Sequence, residues 1–161
     1  MTKDEFCAIE AILFSFPELC VARRARKDFL LSMALSSSSP DAIHVQGGNG
    51  VSRAERYAEG DRELEQLETI ISKISHSLAN LKEADKELVD QFYFSEKGSY
   101  SFKFSAPALF MKRKRICAQL EGLMSIYPLF REWRERETER AKEVARDFID
   151  SVERCDYAAE S

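Results

Sequence analysis

With 161 residues, 44% of them hydrophobic and 32% charged, the chain is sized for one domain, or a domain with an appendage, and has enough apolar residues for a core. A net charge of −4 excludes a surface coated in basic residues, so any nucleic-acid contact has to be a local patch. The longest apolar run, Ala11 to Phe14, is far too short to cross a membrane, and four scattered cysteines (Cys7, Cys20, Cys117, Cys155) without a signal peptide read as reduced thiols in a cytoplasmic protein.

Thr2 and Glu5 form a capping box ahead of an apolar helical face made by Phe6, Ile9, Ile12, Leu13 and Phe16. Pro17 is expected to end that helix, because its ring and missing N–H oppose continuation. A second helix over residues 18–35 would complete an N-terminal helical hairpin, residues 1–35. Its run Arg23, Arg24, Arg26, Lys27 reads as a solvated face. Residues 36–50 (SSSSPDAIHVQGGNG) have the serine, proline and glycine content of a flexible linker.

The next element is the longest regular pattern in the chain. Leu64, Leu67, Ile71, Ile74, Leu78 and Leu81 recur at spacings of three and four, and Tyr57 extends the stripe backward. Ser52 and Glu55 supply a capping box, and residues 52–81 would make a rod of roughly 45 Å. Such a seam serves either a homodimer or partner-binding coiled coil, or the longest helix of an intramolecular bundle.

Residues 83–94 (EADKELVDQFYF) read as a shorter helix with Leu88, Val89, Phe92 and Tyr93 inward. Tyr100, Phe102 and Phe104 then alternate with Ser101 and Lys103, which is strand periodicity, and Gln91 to Phe94 is a candidate second arm of a β-hairpin turning at residues 96–98. Ser105 caps a further helix with Pro107 in its first turn and Lys112, Arg113, Lys114 and Arg115 in its middle. Pro128 marks a break before a long helix, residues 129–154. Ala141, Val144, Ala145, Phe148, Ile149 and Val152 continue its apolar stripe, and its opposite face alternates acid and base. The tail after Cys155 is expected to fray. The fold class is therefore mainly α: an elongated helical bundle with a long heptad helix and at most one small β-hairpin.

No P-loop, dinucleotide-binding glycine turn, GxSxG or HExxH is present, His44 and His76 have no metal-ligand spacing, and neither lies near a cysteine in sequence. An enzyme, a metal centre and a cofactor are not expected. The concentrated chemical feature is Lys112 to Arg115. Four consecutive cations span a full helical turn, and phosphate is their natural counter-ligand.

The order of these features resembles small phage-encoded transcriptional regulators of the RinA/ArpU type, whose C-terminal part is similar to region 4 of bacterial sigma factors. The likeness covers residues 5–124. It begins with I-x-x-I-L-x-x-x-P (Ile9, Ile12, Leu13, Pro17) and passes through V-S-x-x-E-R (Val51 to Arg56) and the heptads. It continues with A-D-K-E-L-V-D-Q-F-Y-F (Ala84 to Phe94) and ends in S-A-P-A-L-F-M-K-R-K-R-I-C-A-Q-L (Ser105 to Leu120). It implies a regulator of phage genes, working in the host cytoplasm on double-stranded DNA, with residues 51–124 as long helix plus a divergent helix-turn-helix-like region. Ser105, Lys112, Arg113, Lys114 and Arg115 would touch DNA, and Leu64, Leu67, Ile71, Ile74, Leu78 and Leu81 would join two copies. Between Phe94 and Ser105, where the family carries a helix and turn, this chain has ten residues with strand alternation, and in the C-terminal part, residues 125–161, the helix from Leu129 to Arg154 is additional. The alternative function is a phage-encoded protein that binds and blocks a host protein, polymerase or defence nuclease, on the same helical scaffold.

Overall fold

Both capping boxes form as the sequence leads one to expect. Thr2 N donates to Glu5 Oε2 at 2.6 Å while Glu5 N donates to Thr2 Oγ1 at 3.2 Å. Ser52 N donates to Glu55 Oε2 at 2.9 Å while Glu55 N donates to Ser52 Oγ at 3.2 Å. Each box satisfies two of the amides that a helix start leaves without partners. The protein is seen in a computed structural model that describes residues 1–36, 52–96 and 103–159. Its helices are α1 (Lys3–Ser36), α2 (Arg53–Ala79), α3 (Glu83–Val89) running into a π-helical turn (Asp90–Phe94), α4 (Ala106–Gln119), a 3₁₀ turn (Glu121–Ile126) and α5 (Tyr127–Ala159). They divide into two units, Met1–Ile126 and Tyr127–Ser161.

In the first unit α1 is the common support: α2, the π turn, α4 and the 3₁₀ turn all pack on it. The expected hairpin over residues 1–35 is not there, because α1 runs unbroken through Pro17. Pro17 is exposed, so its ring meets solvent, and the deficit is confined to the hydrogen bond it cannot donate. Ile9, Ile12, Leu13 and Leu19 on either side are completely buried. Burying each such side chain contributes about 1.5–3 kcal/mol, against ~3 kcal/mol for an interior proline, so burial wins.

The α1–α2 contact explains the heptad pattern. Leu67, Ile71, Ile74 and Leu81 are buried and Leu64 and Leu78 half-buried inside a single chain, so the seam is covered without a second copy. Its true centre is offset from the leucines: Gly60, Glu63, Leu67, Ile70 and Ile74 face inward, again three and four apart. A Cβ on Gly60 would stand 3.0 Å from Leu30 Cδ2, which is the close approach that glycine permits. Glu63 is buried because Arg26 Nη2 meets its Oε2 at 2.6 Å, and Lys27 reaches Glu68 Oε1 at 2.9 Å. Half of the basic run expected to be solvated thus ties α1 to α2.

No strand occurs among the described residues. The proposed hairpin arm, Gln91 to Phe94, is the π turn, and the reason is aromatic packing on α1. Phe14 meets Phe92 and Tyr93 with ring centroids 5.8 and 4.7 Å apart, and Phe16 meets Phe94 at 5.1 Å. Widening the helix reduces the rotation between successive residues, which brings three adjacent aromatics round to one neighbour. The other arm and most of the linker (Tyr100, Phe102, His44) lie outside the described residues, while Phe104 precedes α4 in a bend.

The second unit is α5, with Pro128 in its first turn where a missing N–H costs nothing. Rings stack along its start, Tyr127 on Phe130 at 6.2 Å and Phe130 on Trp133 at 6.0 Å. Beyond them runs the expected ladder of pairs: Arg131–Glu135, Arg136–Glu132, Arg140–Glu137 and Lys142–Glu139, at 2.6–3.3 Å.

Candidate functional site

The four cations of α4 lead to four different environments. α4 starts from Ser105, whose backbone is extended (φ −63°, ψ 154°) and whose carbonyl accepts from Leu109 N at 2.9 Å. Its hydroxyl makes no capping bond, so the serine occupies the expected N-cap position without that bond. An α-helix completes a turn every 3.6 residues, so residues 112–115 point to every side of α4. Ile116 and Cys117, both fully buried, fix which side is inward, and Arg113 falls nearest to it.

Arg113 accordingly faces the core. Its Nε donates to Glu10 Oε1 at 2.9 Å, its Nη2 forms a short ion pair with the same oxygen, and Tyr93 Oη donates there as well at 2.6 Å. The guanidinium sits 4.3 Å from the Phe92 ring centroid and 5.8 Å from that of Phe6. Burial opposes its charge, but the bonds with Glu10 and Tyr93 outweigh that and raise its pKa. Burial, then the bond to Glu10, pushes Tyr93 well above the ordinary phenol range. Cys117 Sγ is 4.0 Å from Tyr93 Oη, and burial, reinforced by the Glu10 charge, pushes the thiol up to about 11. A buried thiol held protonated is a poor nucleophile, so this cluster is a polar clamp joining α1, the π turn and α4.

Arg115 turns toward α3, where its Nη2 meets Asp85 Oδ1 at 2.6 Å. Asp85 is buried, whereas the arginine side chain is 59% exposed and keeps donors free for solvent. Lys112 Nζ lies 4.4 Å above the Phe104 ring, and Lys114 is exposed. Between α3 and α4, Asp85, Glu87, Gln91, Phe104, Lys112 and Arg115 border a hollow of about 210 Å³. Its walls carry both signs of charge, so it does not select a phosphate. Among the described residues no group of three His, Cys, Asp or Glu side chains could hold a metal ion, and no helix is long and apolar enough to cross a membrane.

A second feature lies on α5. Every residue from Ala141 to Val152 is exposed, on all faces of the helix, although Val144 (69%), Phe148 (68%), Ile149 and Val152 carry large apolar groups. Glu137, Arg140, Ala141, Val144, Ala145 and Phe148 wall a shallow hollow along that stripe.

Sequence reasoning found the cations and the α5 stripe but missed Glu10, Tyr93 and Asp85 as their partners. For Glu10 a signal existed: it is a lone acid beside the buried Phe6, Ile9 and Leu13 on α1. No family model, curated protein or solved structure matches the chain significantly. The likeness to RinA/ArpU-type regulators therefore rests on the order of residues alone.

Proposed function

We propose that this protein is a helical interaction protein that engages another polypeptide through the apolar stripe of α5. The carrying observation is the segment from Ala141 to Val152, helical yet bare on every side. An isolated helix of that length is marginal in water, and a contiguous exposed apolar stripe marks an interaction surface. The partner is a polypeptide that offers a matching apolar helix face. A photo-reactive amino acid placed at Val144 or Phe148 of the full chain, in host cells, is expected to give a discrete heavier adduct, while Glu139 and Asp150 on the opposite face give none. Absence of adducts at the stripe positions refutes the reading.

One observation favours a second reading. Lys112, Lys114 and the outer part of Arg115 remain available to duplex phosphates on a single turn of α4. On that reading the protein is a DNA-binding regulator with two or three phosphate contacts per chain, weak by itself and dependent on dimerisation for a useful site. Arg113, held by Glu10, takes no part.

A further inference from the structure

We propose that the occupant of the α5 stripe is a second copy of this chain, paired antiparallel; the inference rests on the interaction reading and names its partner. The evidence is the way the stripe complements itself. The hollow on α5 is lined by Glu137, Arg140, Ala141, Val144, Ala145 and Phe148; the first four are spaced i, i+3, i+4, i+7, the frame that receives a knob from a facing helix. Phe148 is the one aromatic ring on the exposed part of the stripe from Ala141 to Val152.

A two-fold axis between Glu143 and Val144 places Phe148 of the second copy at the level of Glu139. Because helical side chains lean toward their own N-terminus, the ring reaches the centre of that frame. Ala141 at its floor is small enough to admit it. The same axis sets Arg140 beside Asp147 of the second copy, and Asp147 beside its Arg140, giving two equivalent ion pairs on one flank. Arg140 Nη1 already holds Glu137 Oε1 at 2.6 Å, so its guanidinium would bridge two carboxylates. On the other flank Lys142 is matched within its own helix by Glu139 at 2.6 Å. Parallel pairing offers none of this, since it sets Arg140 against Ala145 and Asp147 against Val152.

The paired stretch from Glu137 to Val152 is roughly 24 Å long, an interface at the small end of the range, so the dimer is expected to dissociate at roughly micromolar concentration. Sedimentation equilibrium of the full chain over about 1–500 µM tests it. Wild type is expected to pass from monomer to dimer. Phe148→Glu, Arg140→Asp and Asp147→Arg should each weaken association by about tenfold or more, and the Arg140→Asp/Asp147→Arg double variant should recover most of the loss. The double variant separates the proposal from mere loss of folding or of apolar surface. Failure to recover overturns the antiparallel register. A wild type monomeric throughout overturns self-pairing. In that case, Val144 adducts that do not have the mass of two chains leave the interaction reading standing, whereas the absence of any adduct removes both.

Discussion

The Glu10–Arg113 pair gives the most exacting test of the first unit. Glu10 is 13% and Arg113 19% exposed at the side chain, and Tyr93 Oη shares the carboxylate at 2.6 Å. Replacing Glu10 with alanine leaves a guanidinium between Phe6 and Phe92 with no counter-charge, and a buried phenol with a lost acceptor. Breaking a buried pair on one side typically costs about 3–5 kcal/mol, and residual solvent access here lowers the expectation to roughly 2–4 kcal/mol. Removing both charges with Glu10→Leu/Arg113→Met should cost far less, because desolvation of each ion disappears together with their attraction. The assay is urea unfolding followed by far-ultraviolet circular dichroism, with hydrogen exchange assigning the change to α1 and α4 rather than α5. A coupling of about 2 kcal/mol between the two positions is expected. If Glu10→Ala costs under ~1 kcal/mol, or the two single costs simply add, the pair is a surface contact and the clamp does not exist.

Four further outcomes follow from the same geometry. Cys117 should resist thiol reagents at pH 8 while exposed Cys7 reacts. In the unfolded chain the Cys117 thiol loses its proton from about 9, in the folded chain only near 11, so above pH 9 the native state binds more protons; stability should therefore fall between pH 9 and 11, and less in Cys117→Ala. Pro17→Ala, at an exposed position inside α1, should stabilise the first unit by up to about 3 kcal/mol in urea unfolding, and a loss would mean that the ring makes a contact its exposure denies. On the DNA reading, Lys112→Ala/Lys114→Ala should reduce the slope of log K against log salt by about 1.8 in anisotropy titrations, whereas an unchanged slope would remove those lysines from the interface.

The helices were legible because their signals are local. Capping boxes, the α2 periodicity and the α5 charge ladder depend on residues three or four apart, and all three are present in the structure. What was not legible depends on contacts distant in sequence. Pro17 ends a helix by local rules, and only the burial of Leu13 and Leu19 reverses that outcome. Gly60 and Glu63 escape any search for hydrophobic residues, yet they sit in the α1–α2 seam because Leu30 comes close and Arg26 supplies a charge. The alternation at residues 100–104 suggested a hairpin with Gln91 to Phe94 as its other arm, but Phe14 and Phe16, more than seventy positions upstream, draw residues 92–94 into a widened helix.

The same geometry decides how the basic turn should be weighed. Four consecutive cations on a helix cannot share a face, so a turn that anchors itself through Ile116 and Cys117 must bring one of them inward. That cation has to be neutralised where it lands, and Glu10 on α1 does so for Arg113. Arg115 is held by Asp85 in turn, which leaves Lys112 and Lys114 with no carboxylate partner among the described ion pairs, one of them resting on Phe104. A count of four cations along the sequence therefore overstates the phosphate-binding capacity of α4, since only Lys112, Lys114 and the outer part of Arg115 remain available. The exposed stripe of α5 suffers no such reduction: its large apolar side chains, Val144, Phe148, Ile149 and Val152, are uncovered, and covering them would contribute ~25 cal/mol per Å². On that balance the protein-binding reading stands ahead of the DNA-binding one.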